Sequence, residues 1–195
     1  MTRLPLPAAD FSFRRGTGCA ACRASRAAPA ATMSKSSIGW IVLWARVPVG
    51  HRGVRVLNHE ELQAGDVSLE YVSRLMHRRY TDAPTIRRIL QTIWYQVNHG
   101  QEIYVIGTVL DDGTVRGGTG WGAEFAKLCN KPLHVFDQEQ DRWLTWSGSD
   151  WDARPGADLP VIAHPHFTGT GTRSLAPNGR AAIDGLLTRS FGGGA

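Results

Sequence analysis

The residues with the clearest chemical meaning lie in one glycine-rich segment, GGTGWGAE, at positions 117–124. A loop that wraps a phosphate group presents main-chain N–H groups, and side chains there would block close approach. A helix that begins at such a loop adds the positive end of its dipole. Gly117, Gly118, Thr119 and Gly120 are therefore typical of an anion site, although a tight turn between a strand and a helix explains them equally well.

The flanking residues predict the elements that would position this loop. Residues 103–110 are almost continuously apolar, which indicates a strand covered on both faces. A turn at 111–113 follows. From Trp121 onward, apolar residues recur on one helix face, and Pro132 stops that helix. A second buried strand, 133–136, ends at Asp137. The helix-face residues are Trp121, Phe125, Leu128 and Cys129.

The run GGTGWGAEFAKLCNKPLHVFDQ resembles the glycine-loop region of the SLOG superfamily of Rossmann-like nucleotide-binding domains. That superfamily includes the Lonely Guy phosphoribohydrolases and the DNA-processing protein A domain. The phosphoribohydrolase signature is PGGxGTxxE followed by KP. This chain matches it except at Arg116, which replaces the proline, and at Trp121, which replaces the threonine after the last glycine. The closer resemblance is to a phage and bacterial branch that pairs GGTGW with VFDQ, a tryptophan-rich hairpin and a late GTR motif, and it covers roughly residues 84–191.

The resemblance implies a three-layer, Rossmann-like α/β domain with a mainly parallel sheet. In such sheets ligands bind outside the carboxyl ends of the strands. It also implies roles in catalysis for Glu124, as acid/base or stabiliser of an oxocarbenium-like ribose, and for an arginine on the helix over 84–98. Arg87 and Arg88 are the candidates, and we select Arg88. A glutamate that answers the helix dipole is the alternative explanation of Glu124.

Three further groups are candidates for ligand contact. Gly171, Thr172 and Arg173 end a Gly/Thr-rich strand and offer amides, a hydroxyl and a guanidinium, which are good phosphate partners. Asp137 and the Trp121 position complete the predicted ligand-binding set. The alternative for 166–173 is a terminal strand against which a helix docks.

Two other motifs are more consistent with structure than with chemistry. Residues 76–79 (MHRR) resemble the MHxRK motif of the phosphoribohydrolases, but their separation from the glycine loop favours a solvated face. Trp143, Trp146 and Trp151 could stack on a base, but the pattern favours a hairpin that covers a sheet edge.

Composition narrows the function classes. The net charge is +5, but residues 1–32 carry five arginines and one acid, so residues 33–195 carry only +1. A broad nucleic-acid face would be more basic. There is no apolar run of the ~20 residues that a membrane span needs. Cys19 and Cys22 form a CxxC without the context of a redox or zinc site, and Cys129 is expected in the core.

We therefore expect a protein that binds a nucleotide-like small molecule. Neither a metal nor a cofactor is expected, and no membrane or nucleic-acid partner. Phosphoribohydrolase activity, a non-catalytic sensor or assembly role, and a homodimer stay open. Residues 1–32 are predicted to be a disordered extension, 33–191 one domain and 192–195 a flexible tail. The expected location is the cytoplasm, or an organelle if residues 1–32 are a transit peptide. The alternative explanation of residues 1–32 is an over-extended coding region whose true start is Met33.

Overall fold

The computed structural model describes residues 57–154 and 156–191, together with three short strands nearer the amino terminus. The elements in chain order are β1 (Ala21–Ser25), β2 (Trp40–Ile41), β3 (Val54–Arg55), α1 (His59–Gln63), α2 (Asp66–Leu75), α3 (Pro84–His99), β4 (Glu102–Gly107), α4 (Gly118–Leu128), β5 (Leu133–Asp137), β6 (Arg142–Trp146), β7 (Trp151–Arg154), a 3-10 turn (Gly156–Asp158), β8 (His166–Gly171) and α5 (Pro177–Phe191).

The main sheet has the order β1-β8-β4-β5-β6-β7. Strand β4 is central and pairs in parallel with β5 on one side and β8 on the other. The pairs β5–β6, β6–β7 and β1–β8 are antiparallel. The α/β class that we predicted is confirmed, but the sheet is mixed, with parallel pairing only at its centre.

Alternation along the central strands divides the core into two clusters. Ile103 and Val105 of β4 face one cluster, which also contains apolar residues of α2, α3 and α4. Tyr104 and Ile106 face the other, which contains Ile183 and Leu186 of α5. Successive side chains of a strand point to opposite faces. Helices therefore cover β4 on both sides, which explains its continuous apolar sequence.

The ends of the helices follow recognisable local signals. Asn58 and Glu61 form a reciprocal capping box at the start of α1, and Pro84 occupies the first turn of α3. At the end of α3, the Lys131 ammonium donates to three carbonyl oxygens, those of Val97, Asn98 and Gly100, at 2.6–2.8 Å. The last carbonyls of a helix have no partner within it. The lysine of the KP dipeptide therefore caps α3.

The last turn of α4 departs from our prediction. Leu128 is 44% exposed and Cys129 is exposed, so neither lies in the core as the helical spacing predicted. The helix ends at Leu128, and Asn130 adopts a left-handed conformation with φ of 50°. Because the helix ends here, Leu128 and Cys129 are not covered by a neighbouring element.

Part of the predicted organisation falls outside the described residues. This holds for 192–195 and for most of 1–32, within which the structure describes only β1. Strands β2 and β3 form a separate two-stranded sheet, in which they pair in parallel. None of the helices in the described ranges is both long enough and apolar enough to cross a lipid bilayer.

We predict that Lys131→Met lowers the free energy of unfolding by about 2 kcal/mol, because three carbonyls at the end of α3 lose a charged donor. Urea denaturation measures the change. Arg79→Met, at a side chain that is 88% exposed, is the control and should leave stability unchanged. Equal stability of the Lys131→Met variant and the wild type would show that water replaces the cap without cost.

Candidate functional site

The carboxyl end of β4 collects the segments that we predicted to form the site. The Ile106 oxygen accepts a bond from the Thr172 amide at 3.0 Å, and the Gly107 oxygen accepts one from the Gln138 amide at 2.9 Å. The Thr108 oxygen accepts one from the Arg116 amide at 2.9 Å. The segment after β8, the segment after β5 and the end of the 108–116 loop are thus fixed to three successive residues, 106–108.

The loop between β4 and α4 is a small hairpin rather than a direct strand-to-helix turn. Val109 and Val115 form an antiparallel bridge, and the turn at its tip includes Gly113 with φ of 74°. The Asp112 carboxylate accepts bonds from the Thr114 amide and hydroxyl at 2.9 and 2.7 Å, and these bonds lower the pKa of Asp112. Because the hairpin closes on itself, Gly117 returns to the end of β4.

Helix α4 begins at Gly118, directly after this hairpin. The first amides of a helix have no intrahelical acceptor. The Gly120 amide donates to the Gly117 oxygen at 3.3 Å, whereas the amides of Gly117, Gly118 and Thr119 donate to no acceptor in the part of the chain that the structure describes. Gly117 and Gly118 are exposed. The loop therefore presents the unused N–H groups of these two glycines to solvent, whereas Thr119 is buried.

The glycines of this loop serve different purposes. Gly117 has φ of 75° and ψ of −155°, a conformation that side chains disfavour. A Cβ at Gly120 would lie 1.9 Å from the Val115 oxygen, so glycine lets the helix approach the hairpin. At Gly118 the backbone φ is not positive, and a Cβ would meet nothing within 4 Å. Neither packing nor backbone geometry requires glycine at 118.

Arg78 fixes the shape of the loop. Its Nη1 lies 3.4 Å from the Val115 oxygen and 3.3 Å from the Gly117 oxygen, and its Nη2 donates to the Thr114 hydroxyl at 3.0 Å. A guanidinium has several donors in a rigid plane, which suits such a bridge. The sequence favours a solvated face for residues 76–79. For Arg78 this prediction is wrong, because its guanidinium bonds to the loop. The resemblance to the MHxRK motif was the signal in the sequence.

A second arginine, Arg116, directly precedes Gly117 in the chain. Arg116 forms a 2.7 Å ion pair with Glu139, in the turn after β5, and both side chains are more than half exposed. A pair of this kind contributes little to stability. Arg116 occupies the proline position of the phosphoribohydrolase signature, and here its charge is balanced by that of Glu139.

The late Gly/Thr segment reaches the same end of the sheet. Gly171 is the last residue of β8 and pairs with Ile106, and Thr172 follows it. The Thr172 hydroxyl accepts a bond from the Ser174 amide at 3.2 Å. Arg173 is exposed, and its side chain has no hydrogen bond or ion pair to any described residue. The structure therefore brings Gly171 to Arg173 beside β4, with one guanidinium uncommitted.

Asp137 has a different role from the predicted one. The residue is completely buried, and its Oδ2 accepts a bond from the Val109 amide at 2.9 Å. Its Oδ1 accepts bonds from the amides of Glu139 and Gln140 at 2.8 and 3.0 Å. Asp137 shapes the loops around the site and has no surface that a ligand can reach.

The Trp121 indole also lies beneath the loop rather than in the site. It is 6% exposed, belongs to the core between α2, α3 and α4, and lies 5.9 Å from the Tyr80 ring. The indole neither contacts solvent at the loop nor covers the exposed glycines. Where the signature has threonine, this chain has a core residue, so position 121 offers its main chain at most.

Glu124 is engaged by its own helix. Its Oε1 lies 2.8 Å from the Lys127 ammonium, and the two side chains are 13% and 12% exposed. Lys127 also donates to the Gly113 oxygen at 2.9 Å and lies over the rings of Trp146 and Trp151, at 4.1 and 4.8 Å. Two of the hairpin's tryptophans therefore pack on a lysine, and the hairpin itself forms one end of the main sheet. The carboxylate to which the resemblance assigns catalysis therefore forms an ion pair in that cluster, although its Oε1 has no hydrogen-bond partner among the described residues.

Neither arginine at the start of α3 contacts the glycine loop. Arg88 is exposed, and its side chain has no hydrogen bond or ion pair to a described residue. Arg87 pairs with Asp66 at 2.7 Å and with Asp82 at 3.2 Å, and stacks 4.6 Å from the Tyr80 ring centre. The Asp66 bond raises the pKa of Arg87. The structure thus shows no hydrogen bond or ion pair from Arg88 to the glycine loop or to Glu124, the other residue to which the resemblance assigns catalysis.

The Arg87 network lines a shallow cavity of about 360 Å³ between α2 and α3. Burial opposes ionisation of Asp66, but hydrogen bonds from Tyr80, Arg87 and Gln91 outweigh it and lower the pKa of Asp66. Val67, Glu70 and Asp82 complete the lining. The cavity does not include the glycine loop.

Two further titratable side chains of α4's end and β5, Cys129 and His134, have shifted pKa values. Burial lowers the pKa of His134 to about 4, so its imidazole, 2.8 Å from the Thr145 hydroxyl, is neutral near pH 7. Partial desolvation raises the pKa of the Cys129 thiol, although the residue as a whole is exposed, and this makes the thiol a poorer nucleophile. Among the residues that the structure describes, no three His, Cys, Asp or Glu side chains are grouped so that they could hold a metal ion.

In comparisons with known proteins, the chain matches no protein-family model, no curated protein and no solved structure.

We predict that Lys127→Met lowers the free energy of unfolding by about 2 kcal/mol, because it leaves the largely buried Glu124 carboxylate without its cation and removes a donor from Gly113. Chemical denaturation measures the loss. The double variant Glu124→Gln/Lys127→Met should recover part of it, since it removes both charges. A double variant whose loss equals the sum of the two single losses would show that the pair is not coupled.

Proposed function

We propose that the protein binds a nucleotide, or another phosphate ligand derived from a nucleotide, at the glycine loop after β4. The phosphate would accept hydrogen bonds from the unused amides of Gly117, Gly118 and Thr119. The dipole of α4 favours an anion at this position. We further propose that the domain is a three-layer, Rossmann-like fold, in which such a loop is the usual phosphate contact.

Gly118 is the observation that carries the proposal. Nothing in the fold requires glycine there, because a Cβ would project into open space from an ordinary backbone. Glycine costs conformational entropy, so its use without a packing reason needs another explanation. Close approach of a ligand to the main chain is that explanation.

The topology supports a ligand at this end of the sheet. The chain leaves β4 towards α4 on one face, and it leaves β8 towards α5 on the other. A crevice forms outside the carboxyl ends of two adjacent parallel strands when their connections diverge in this way. Arg173 follows β8 at this crevice, and its uncommitted guanidinium suits a second phosphate contact.

The state of Glu124 favours binding without cleavage. A general acid or base must reach the atom with which it exchanges a proton. The carboxylate is mostly buried and paired with Lys127, and Arg88 lacks a contact with the loop. We therefore propose a non-catalytic sensor or assembly component over a phosphoribohydrolase.

We expect calorimetric titration to detect binding of at least one ligand from a set of AMP, ADP, ADP-ribose and inorganic phosphate. Gly118→Ala should keep the melting temperature and weaken binding at least tenfold, or about 1.4 kcal/mol, because a methyl group keeps the phosphate from the amides. Gly118→Asp should abolish binding through charge repulsion. Ser149→Asp, in the exposed turn between β6 and β7, is the charge-matched control.

This proposal is contradicted if the wild type binds none of the four ligands, or if Gly118→Asp binds as tightly as the wild type. A loss of affinity in Ser149→Asp equal to that in Gly118→Asp would assign the effect to net charge rather than to the loop.

Prolonged incubation with AMP should release no adenine, because the carboxylate that would assist cleavage is held by Lys127. Chromatography of the products measures release. Release that Glu124→Gln abolishes, while binding persists, would instead establish the phosphoribohydrolase alternative.

A further inference from the structure

Helix α2 exposes an apolar stripe on the side opposite its buried face. Val67, Tyr71 and Leu75 recur every four residues and are 85%, 52% and 49% exposed. The buried side of the same helix consists of Leu69, Val72 and Ser73. A contiguous row of exposed large apolar side chains is unusual on a monomer and marks an interaction surface.

Charged residues flank one side of this stripe. Glu70 and Arg74 lie one turn apart, with a nitrogen–oxygen distance of 3.4 Å and side chains 52% and 76% exposed. An exposed pair of this kind contributes only tenths of a kcal/mol within one helix. Both groups are therefore available to a better-placed partner of opposite charge.

The cavity beside α2 provides such a place. Val67 and Glu70 belong both to this surface and to the cavity lining, to which Asp66 and Asp82 add two more carboxylates. Its single guanidinium, that of Arg87, is already paired with those two aspartates. The cavity thus carries more negative than positive charge and adjoins the amino-terminal end of the stripe.

We propose that a second copy of this chain docks on α2, with the two α2 helices antiparallel across a two-fold axis at Tyr71. Residues rise 1.5 Å each along a helix, so this register sets Val67 against Leu75 of the partner subunit. In an antiparallel pair related by a two-fold axis, the charged side of one helix lies next to the charged side of the other. Arg74 of the partner subunit is then level with Ser68 and reaches the cavity beside Val67 and Glu70.

The surface is self-complementary, as a two-fold interface must be. The apolar stripe matches itself when reversed, and the basic residue at its carboxyl end meets the acidic cavity at its amino end. A contact built on one ten-residue helix is at the small end of specific interfaces. We therefore expect a dissociation constant of roughly micromolar size.

Sedimentation velocity of the full chain, from about 1 to about 300 μM, tests the dimer. Mass should rise with concentration, and Tyr71→Glu should weaken association at least tenfold. Val161→Glu, at an apolar side chain that is 48% exposed on another part of the surface, should associate like the wild type. Circular dichroism confirms that each variant is folded.

A charge exchange separates the interface from a general effect on α2. Glu70→Arg and Arg74→Glu should each weaken association at least tenfold, and the double variant should restore it to within about threefold of the wild type. A wild type that stays monomeric throughout, a Tyr71→Glu variant that associates normally, or a double variant without recovery would each overturn the proposal.

Discussion

The main-chain polar groups at the carboxyl end of β4 organise this molecule. Each of the four successive residues 106–109 forms a main-chain hydrogen bond, and the partners belong to three parts of the chain: Thr172, Arg116, and the adjacent pair Asp137 and Gln138. Buried main-chain groups must find partners, and those of a central strand that ends inside the protein cannot use water. Satisfying them draws the loops after β5 and β8 to the point where α4 begins.

The glycine loop follows from the same constraint. Since Arg116 must return to Thr108, the hairpin between them brings the start of α4 close to the sheet, and the Val115 oxygen leaves no room for a Cβ at Gly120. A Cβ at Gly122 would likewise lie 2.8 Å from the Ile93 side chain of α3. These two glycines are packing requirements, whereas Gly118 is not. The loop motif therefore combines residues that the fold needs with one that it does not.

Local pattern was sufficient to predict the elements that flank the glycine loop. Continuous apolar runs located β4 and β5, and helical spacing from Trp121 onward located α4. The sequence did not reveal that Arg78 bonds to residues 36 to 39 positions later, because that contact depends on a left-handed turn at His77. Nor did it reveal that Leu128 and Cys129 emerge from the core. The spacing of apolar residues shows which side chains share one face of a helix, but their burial depends on which other elements pack against that face.

The charged side chains near the loop divide into those that hold the fold and those that do not. Arg78 bonds to loop oxygens, Glu124 pairs with Lys127, and Asp137 binds amides in the interior. A resemblance of motif can transfer residue types without transferring their partners. Glu124 is the type of residue that cleavage would need, but its carboxylate forms an ion pair with Lys127. Lys127 lies one turn away, against the rings of two tryptophans. What stays exposed at the end of β4 is the main chain of Gly117 and Gly118 together with Arg173. The proposal of phosphate binding rests on this set, and binding of an anion there would not require that any bond be broken.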